Sequence, residues 1–517
     1  MMGAWCPLAV RGKRFVYNTA LLTLTSVVMH FVGLAFQVYL SKEMGASGLG
    51  LLYLALSVSG FAATVAISGS RFAATRIVSE EMGLRHPGGV KKTVRRCVGY
   101  AGAFGVLAAV LLFSFAPFIG GKLIGDPRTV PALRILSLGM PPLSMGAVLS
   151  GYFTASGRIA KGAAGQLCEQ LVKILAVVLV FSQPHAPNPQ WECCVIMAGS
   201  AAGELVSFLL EWALYCHDRK KYLAGEKSGD HLTGRIVKVA MPLALSAYAR
   251  TALNSVLNLE IPRSLRRFGA GAEEALADYG RMQGMVFPIV TFPSALFASM
   301  AELLVPELTV SQVQGDGGRI ANLMSTLFRL CLLFSVFAAV CFFLFGQELA
   351  LAFYEDREAG RYVTAMAFLM PVMYLDTLTD GMLRGLGEQL YCMAVNVADS
   401  VLCVALVVLL VPRWGIGGYL FVLYSSEILN FSFSFGRLRR LTRFPIPAGE
   451  LLLGVLCAVG AGNFALLFVR QTLPAFGSGT RVGAELLLSS ALYVPLLLLT
   501  GVLKKNDFRI LKKLQKP

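Results

Sequence analysis

The sequence predicts an all-α polytopic membrane protein of about fourteen helices, and three observations carry that prediction. Runs of about 20 apolar residues, the length that crosses a bilayer core, recur from Phe15 almost to the C-terminus. Charged residues make up only 15% of the 517, against about 25% in soluble domains, and the mean hydropathy is +0.65. The connectors between the runs are short, so no stretch is left to build an aqueous catalytic domain. A soluble protein is excluded, and an enzyme is not expected.

Hydropathy places spans near residues 15–40, 48–72, 93–117, 130–153, 162–182 and 191–216. A second set lies near 234–259, 277–305, 320–345, 362–384, 390–411 and 415–436, and a final pair near 447–469 and 483–503. This divides the chain into an N-lobe over 1–232, a C-lobe over 233–443, and a C-terminal helix pair with a basic tail over 444–517. The first run follows Arg11, Lys13 and Arg14 and is too long for a signal peptide, so it reads as an uncleaved span.

The net charge of +16 follows the topology. Basic residues collect at the N-terminus, Arg85 to Arg96, Arg158/Lys161, Arg219 to Lys238, Arg437 to Arg443 and Lys504 to Lys516. Roughly 30 of the 46 fall on this one side, which the positive-inside rule makes cytoplasmic, together with both termini. The expected location is the cytoplasmic membrane, with anionic lipids rather than nucleic acid as neighbours. The eleven cysteines and five histidines show no zinc-ligand spacing. No Gly-rich loop ends in Gly-Lys-Ser/Thr, so neither metal nor cofactor is expected.

An internal repeat links the fourth and fifth spans to the tenth and eleventh, 230 positions later and without a gap. Pro141 falls on Pro371, Gly151 on Gly381, Gly157 on Gly387, Gln166 on Asn396 and Glu169 on Asp399. Each copy reads as a Pro-interrupted helix, a Gly-containing turn, then a helix with an amide and an acid three apart. An offset of six spans gives the halves parallel topology, the plan of transporters in which one half rocks against the other around a central site.

Charges inside a span cost about 2.5–3.5 kcal/mol on insertion scales and normally face a bundle interior or a wet cavity. Ser246, Arg250, Asn254 and Asn258 recur every four residues in the seventh span, a polar stripe on one helix face. It reads as a cavity wall with Arg250 as anion site, or as a hydrogen-bonding seam with Arg250 paired to a buried acid. Glu169 and Lys173, one turn apart in the fifth span, read as substrate contacts or as an ion pair. Asp376 and Asp380 share a face with no basic neighbour until Arg384, and read as a cation or proton site or as hydrogen-bonding caps. Glu204, Glu211, Glu427 and Asn430 are weaker signals of the same kind. The outer connector after the seventh span clusters Arg263, Arg266 and Arg267 beside Pro262, either a solvated loop or a phosphate-binding rim. Pro288, Pro293 and Pro306 mark a kinked eighth span.

Gly151-Tyr152-Phe153, then Gln166, Glu169-Gln170 and Lys173, resemble the fourth and fifth spans of the polysaccharide flippases related to stage V sporulation protein B. So does Ile261-Pro262-Arg263-Ser264-Leu265, followed by Tyr279-Gly280, Gly284-Met285, Pro288, Phe292-Pro293 and Leu304-Val305-Pro306. The resemblance covers essentially the whole chain and points to the superfamily that also holds multidrug exporters. It implies transfer of an undecaprenyl-pyrophosphate-linked saccharide to the outer leaflet by alternating access of two lobes, by a monomer. The substrate-binding candidates are then Arg250, Asn254, Asn258, Arg263, Glu169 and Lys173, and the coupling candidates Asp376, Asp380 and Asp399. The first span carries no charged residue, only His30 and Gln37, which departs from both the arginine-bearing lipid II flippases and the aspartate-bearing drug exporters. A cation-coupled multidrug exporter is the alternative.

Overall fold

A computed structural model describes residues 8–83, 87–184, 188–219, 232–298, 300–301, 308, 317–442, 444, 448–472 and 478–503. Every regular element among them is helical. In chain order they are α1 (Leu8–Ile67), α2 (Ser70–Gly83), α3 (Pro87–Phe118), α4 (Val130–Ser137), α5 (Met140–Ala155), α6 (Ile159–Phe181), α7 (Pro189–Arg219) and α8 (Leu232–Phe268). There follow α9 (Ala272–Gly280), α10 (Phe287–Thr291), α11 (Gly317–Tyr354), α12 (Arg357–Met366), α13 (Met370–Gly385), α14 (Gln389–Thr442), α15 (Ala448–Thr472) and α16 (Ser478–Leu499). Short π-helices precede α4 (Ile119–Ile124) and α10 (Arg281–Val286). The basic segments at Arg85, 220–231 and 504–516, and Pro306, lie outside the described residues.

Among the described residues ten helical stretches are long and apolar enough to cross a membrane, or eleven if the pair Pro127–Ser137 and Met140–Ala155, bent by 47°, is one span. Two of the ten, Val28–Met82 and Gln389–Thr442, run 55 and 54 residues. At 1.5 Å per residue each would run about 80 Å if straight, more than twice a ~30 Å hydrocarbon core. Each contains a glycine in a backbone conformation that other residues rarely adopt, Gly45 (φ 65°) and Gly415 (φ 58°). At Gly415 the chain reverses. Tyr391 Oη donates to Phe433 O (3.2 Å) and Asn430 Nδ2 to Asn396 Oδ1 (3.2 Å), so the two arms of α14 run antiparallel. These arms are the expected spans at 390–411 and 415–436.

The chain forms two compact units. The N-unit holds Ala46–Arg263 and Gly271–Ala277; the C-unit holds the described residues of Met1–Gly45, Ser264–Ala270 and Asp278–Pro517. Relative to a boundary at 232/233, the first and seventh spans have changed places. The cause lies in side chains that hydropathy does not read. On α8, Ser255 Oγ donates to Ser57 O (2.7 Å) and Tyr248 Oη to Ser68 Oγ (2.7 Å), while Ala240 O stands 2.5 Å from where Gly69 would carry a Cβ. In the C-unit, Gln37 Nε2 donates to Gly284 O at 2.9 Å. The C-terminal pair α15 and α16 packs on α11 through Leu333, Val336, Ala458 and Tyr493.

Both units build the same helical module, and its parts coincide at the offset of 230. A left-handed residue, Gly125 (φ 78°) or Glu355 (φ 59°), precedes an aspartate cap. Asp126 accepts from Arg128 N at 3.0 Å and Asp356 from Ala359 N at 2.9 Å. Helix α5 and helix α13 then start with proline in the first turn. In the first copy the proline follows a 47° bend, and in the second a 3-10 turn over Ala367–Leu369 within one continuous helical stretch. Gly157 (φ 68°) and Gly387 (φ 81°) end them in the same reverse turn: Arg158 N–H bonds Phe153 O (2.9 Å), and Glu388 N–H bonds Leu383 O (3.0 Å). Even the close approaches correspond. A Cβ on Gly151 would lie 2.6 Å from Arg71 O, and one on Gly381 would lie 2.4 Å from the Ala301 Cβ.

The connector after the seventh span differs from expectation. It is helical through Phe268, with Pro262 inside α8, so Arg263, Arg266 and Arg267 lie on a helix and not in a loop.

Candidate functional site

Three polar groups stand in otherwise apolar helices. The first is the stripe on α8. Arg250 and Asn254 are exposed, and Ser246 and Asn258 half-buried. Ser246 Oγ turns back to Leu243 O at 2.9 Å. Among the described residues no hydrogen bond or ion pair engages Arg250, so its guanidinium is available to an anion.

Arg263 is engaged otherwise. Its Nη2 donates to Lys122 O (3.1 Å) and to Leu123 O, and its Nη1 lies 3.6 Å from Glu260 Oε2. Those carbonyls belong to the end of a helix, where the negative end of the backbone dipoles favours a cation. The guanidinium therefore closes the π-helix Ile119–Ile124.

The second group lies between α6 and α7. Glycines draw these helices together: a Cβ on Gly203 would lie 2.7 Å from Glu169 O, one on Gly199 3.2 Å from Lys173 O, and one on Gly165 2.6 Å from Glu211 Oε1. Gly199 and Gly203 form a small-xxx-small contact of the kind that packs membrane helices. It places Glu169 and Lys173 within electrostatic reach of Glu204, and Glu211 within reach of both Arg71 and Glu169. Three acids thus share two bases.

The third group holds acids and amides with one base at its edge, Arg384, whose Nε donates to Asp380 O at 3.2 Å. Asp376 and Asp380 on α13 face Asn396 and Asp399 on the first arm of α14, and Ser426, Glu427, Asn430 and Ser434 on the second. Ser426 Oγ donates to Asp399 Oδ1 (2.7 Å), Ser434 Oγ to Asp380 Oδ1 (3.2 Å) and Asn396 Nδ2 to Asp380 Oδ2 (3.4 Å). Asn430 Nδ2 reaches Asn396 Oδ1 at 3.2 Å and Asp376 Oδ2 at 3.5 Å. Asp376 Oδ1 and Asn430 Oδ1 are buried without a hydrogen-bond partner among the described residues. Glu427 lies within electrostatic reach of Asp376, Asp380 and Asp399. A cavity of about 340 Å³, lined in part by Tyr391, Ala398, Asp399, Asn430 and Phe433, opens onto the network. Among the described residues no group of three or more His, Cys, Asp or Glu has the arrangement to hold a metal ion.

The structure brings Asp376, Asp380 and Asp399 together with Glu427 and Asn430, and Glu169 with Lys173, Glu204 and Glu211. It does not join Arg263 to a ligand-facing group. Arg71, Ser426 and Ser434 went unread in the sequence. The serines carried a signal: Ser426, Asn430 and Ser434 recur every four residues, the same spacing that marks the stripe on α8.

Residues 15–309 match the family described as polysaccharide biosynthesis protein, and residues 270–409 match MatE. Stage V sporulation protein B of Bacillus subtilis (strain 168) is 23% identical over 508 residues, covering 96% of this chain and 97% of that protein. The probable multidrug resistance protein NorM of Acinetobacter baylyi is 26% identical over 200 residues, 35% of this chain and 42% of that one. Among solved structures, lipid II flippase MurJ in an inward closed conformation has a TM-score of 0.70 at 12% identity, covering 92% of this chain and 98% of that one. An inward-facing multidrug resistance MATE family transporter has a TM-score of 0.63 at 13% identity, covering 82% and 99%. At these identities the structures establish the fold.

Proposed function

Because the chain belongs to the polysaccharide biosynthesis protein family, we propose that it is a flippase for an undecaprenyl-pyrophosphate-linked saccharide. It carries that lipid from the inner to the outer leaflet by alternating access of its two repeats, as a monomer in the cytoplasmic membrane with both termini inside. The product serves cell-wall, spore-cortex or surface polysaccharide synthesis. The observation that carries this reading is Arg250, exposed on a polar face of an apolar helix and unpaired among the described residues. An arginine in that setting is suited to a pyrophosphate, whose oxygens accept its paired N–H groups. Asn254 and Asn258 supply amides for sugar hydroxyls along the same face.

The network at Asp376, Asp380 and Asp399 supplies the coupling site in this reading. Several carboxylates in an apolar bundle cannot all stay charged without a cation or protons among them. The orphaned oxygens of Asp376 and Asn430 are acceptors for either. The same network, with the MatE match over 270–409, favours a second reading, a cation-coupled multidrug exporter.

Reconstitution into proteoliposomes separates the two. A fluorescent undecaprenyl-pyrophosphate saccharide should become reachable by a membrane-impermeant quencher, and Arg250→Gln should slow this about tenfold or more. Transport of a cationic dye by wild type, with no movement of the saccharide lipid, would replace the flippase with the exporter.

A further inference from the structure

The polar stripe of α8 extends further than Ser246. Counting back by fours from Asn258 gives Asn254, Arg250, Ser246, Pro242 and Lys238, a line that winds about 40° round the helix at each step. At Lys238 the stripe enters a groove of about 500 Å³ between α2 and α8. Helix α2 lines it with Phe72, Thr75, Arg76 and Ser79, and α8 with Lys238 and Leu243. All belong to the N-unit.

The groove has two kinds of wall. Arg76 and Lys238 bring cations to it, and both side chains are exposed. Ser79 is an exposed hydroxyl beside them, and Thr75 Oγ1, which donates to Arg71 O at 2.9 Å, still has lone pairs to accept with. Phe72 and Leu243, 64% and 37% exposed, form an apolar side. Pro242 has no N–H to give the Lys238 carbonyl, which loosens α8 at this point.

Charge accounting favours an anion. Glu80 binds both Arg76 Nε (3.1 Å) and Arg235 Nη2 (2.6 Å), and Glu81 lies 3.5 Å from Arg235 Nη1. Besides these pairs, Lys238 stands in the wall of the groove and Arg96 Nη1 donates to Thr233 Oγ1. The cations outnumber the acids, and Lys238 has no ion pair among the described residues.

We infer that this groove is the entry site for a lipid-borne phosphate: Lys238 and Arg76 hold the anion while the first part of the tail lies on Phe72 and Leu243. The inference rests on the flippase reading above and deepens it. Arg250 lies about 18 Å from Lys238 along the helix and about a third of a turn round it, with Ser246 between them. The hydroxyls of the groove bridge the phosphate oxygens that the two cations leave unfilled.

Equilibrium binding to the full-length chain in neutral detergent tests this with undecaprenyl pyrophosphate, phosphatidylglycerol and inorganic pyrophosphate as probes. Arg76→Gln/Lys238→Gln should weaken undecaprenyl pyrophosphate binding at least tenfold. Lys238→Arg should stay within about threefold of wild type. Melting of the lipid-free variants, unchanged from wild type, guards against misfolding. Phosphatidylglycerol binding with the same sensitivity would support the site and make bulk anionic lipid a second source of its phosphate. Tight undecaprenyl pyrophosphate binding that ignores both glutamines but falls with Arg250→Gln would overturn the groove and leave the flippase standing. Inorganic pyrophosphate binding as tightly as the lipid would overturn the apolar half of the site. Failure of wild type to bind any of the three would overturn both readings.

Discussion

At the turn between its two long helices, the N-unit sets Arg158 and Lys161 against the buried Asp218, with Lys161 Nζ 2.7 Å from Asp218 Oδ1. At the corresponding turn the C-unit sets Glu388 against Arg437, 2.8 Å apart, and Arg437 lies over the ring of Tyr391. Arg158 and Glu388 are equivalent positions, and so are Lys161 and Tyr391, so the same joint is pinned with its polarity reversed. Further along, Glu169 of the N-unit has Lys173 one turn away, whereas its counterpart Asp399 has Cys403 at 3.9 Å and Ser426 at 2.7 Å. Caps, turns and helix contacts repeat; charge does not. The backbone module is a mechanical part used twice, and the side chains give one copy bases among its acids where the other has mainly amides and hydroxyls.

The shared mechanics can be broken in either copy. Gly151→Val and Gly381→Val each force a side chain into space held by a neighbouring helix, backbone in one case and an alanine Cβ in the other. Overpacking of this kind costs about 1–3 kcal/mol and often more where backbone must move. Both variants should melt well below wild type in detergent, by similar amounts. A large loss in one alone would mean that only that copy depends on the close contact.

The difference in charge can be sharpened by making the copies alike. Lys173→Gln leaves Glu169 and Glu204 without their shared cation, at a cost of up to about 3–5 kcal/mol, the range for a buried pair that loses one partner. It should also render the N-unit sensitive to added sodium or acid, read as melting temperature against salt and pH. Asp376→Asn acts in the opposite direction. It should remove the dependence of transport on an imposed sodium or proton gradient while Glu169→Gln leaves that dependence intact. Retention of the gradient effect in Asp376→Asn would move coupling off Asp376, and its retention in Asp380→Asn and Asp399→Asn as well would move it out of the C-unit.

Much of this pairing was readable in the sequence because turn chemistry is written in residue types. Pro141 and Pro371, Gly157 and Gly387, and the amide–acid pairs Gln166/Glu169 and Asn396/Asp399 align without a gap, and each does a local job that its own residue specifies. What depended on tertiary approach was not readable. Arg263 looked like an anion ligand, and only the arrival of the Lys122 and Leu123 carbonyls makes it a helix cap. The exchange of the first and seventh spans between units rests on contacts such as Gln37 with Gly284, 247 positions apart. The acids of α13 and α14 lie together, and the serines on the returning arm that bond to them carry the same four-residue spacing as the stripe on α8.

The smallest difference between the copies is the most local one. Before each aspartate cap the chain takes a left-handed residue, glycine at 125 and glutamate at 355. A side chain in that conformation costs about 1–2 kcal/mol, which glycine avoids. Among the described residues Glu355 gains in return an exposed pair with Lys42 at 3.2 Å, and such pairs contribute about 0–1 kcal/mol. Glu355→Gly should therefore stabilise the C-unit slightly, by up to about 1 kcal/mol, once the greater freedom of glycine in the unfolded chain is set against the relieved strain. Gly125→Glu should destabilise the N-unit by about 1–2 kcal/mol, since it imports the strain. Melting in high salt decides between strain and pairing, because screening removes the Lys42 contribution and leaves the backbone preference. If Glu355→Gly lowers the melting temperature at high salt as well as low, the left-handed glutamate is held by something other than Lys42, and the two turns are less alike than their backbones suggest.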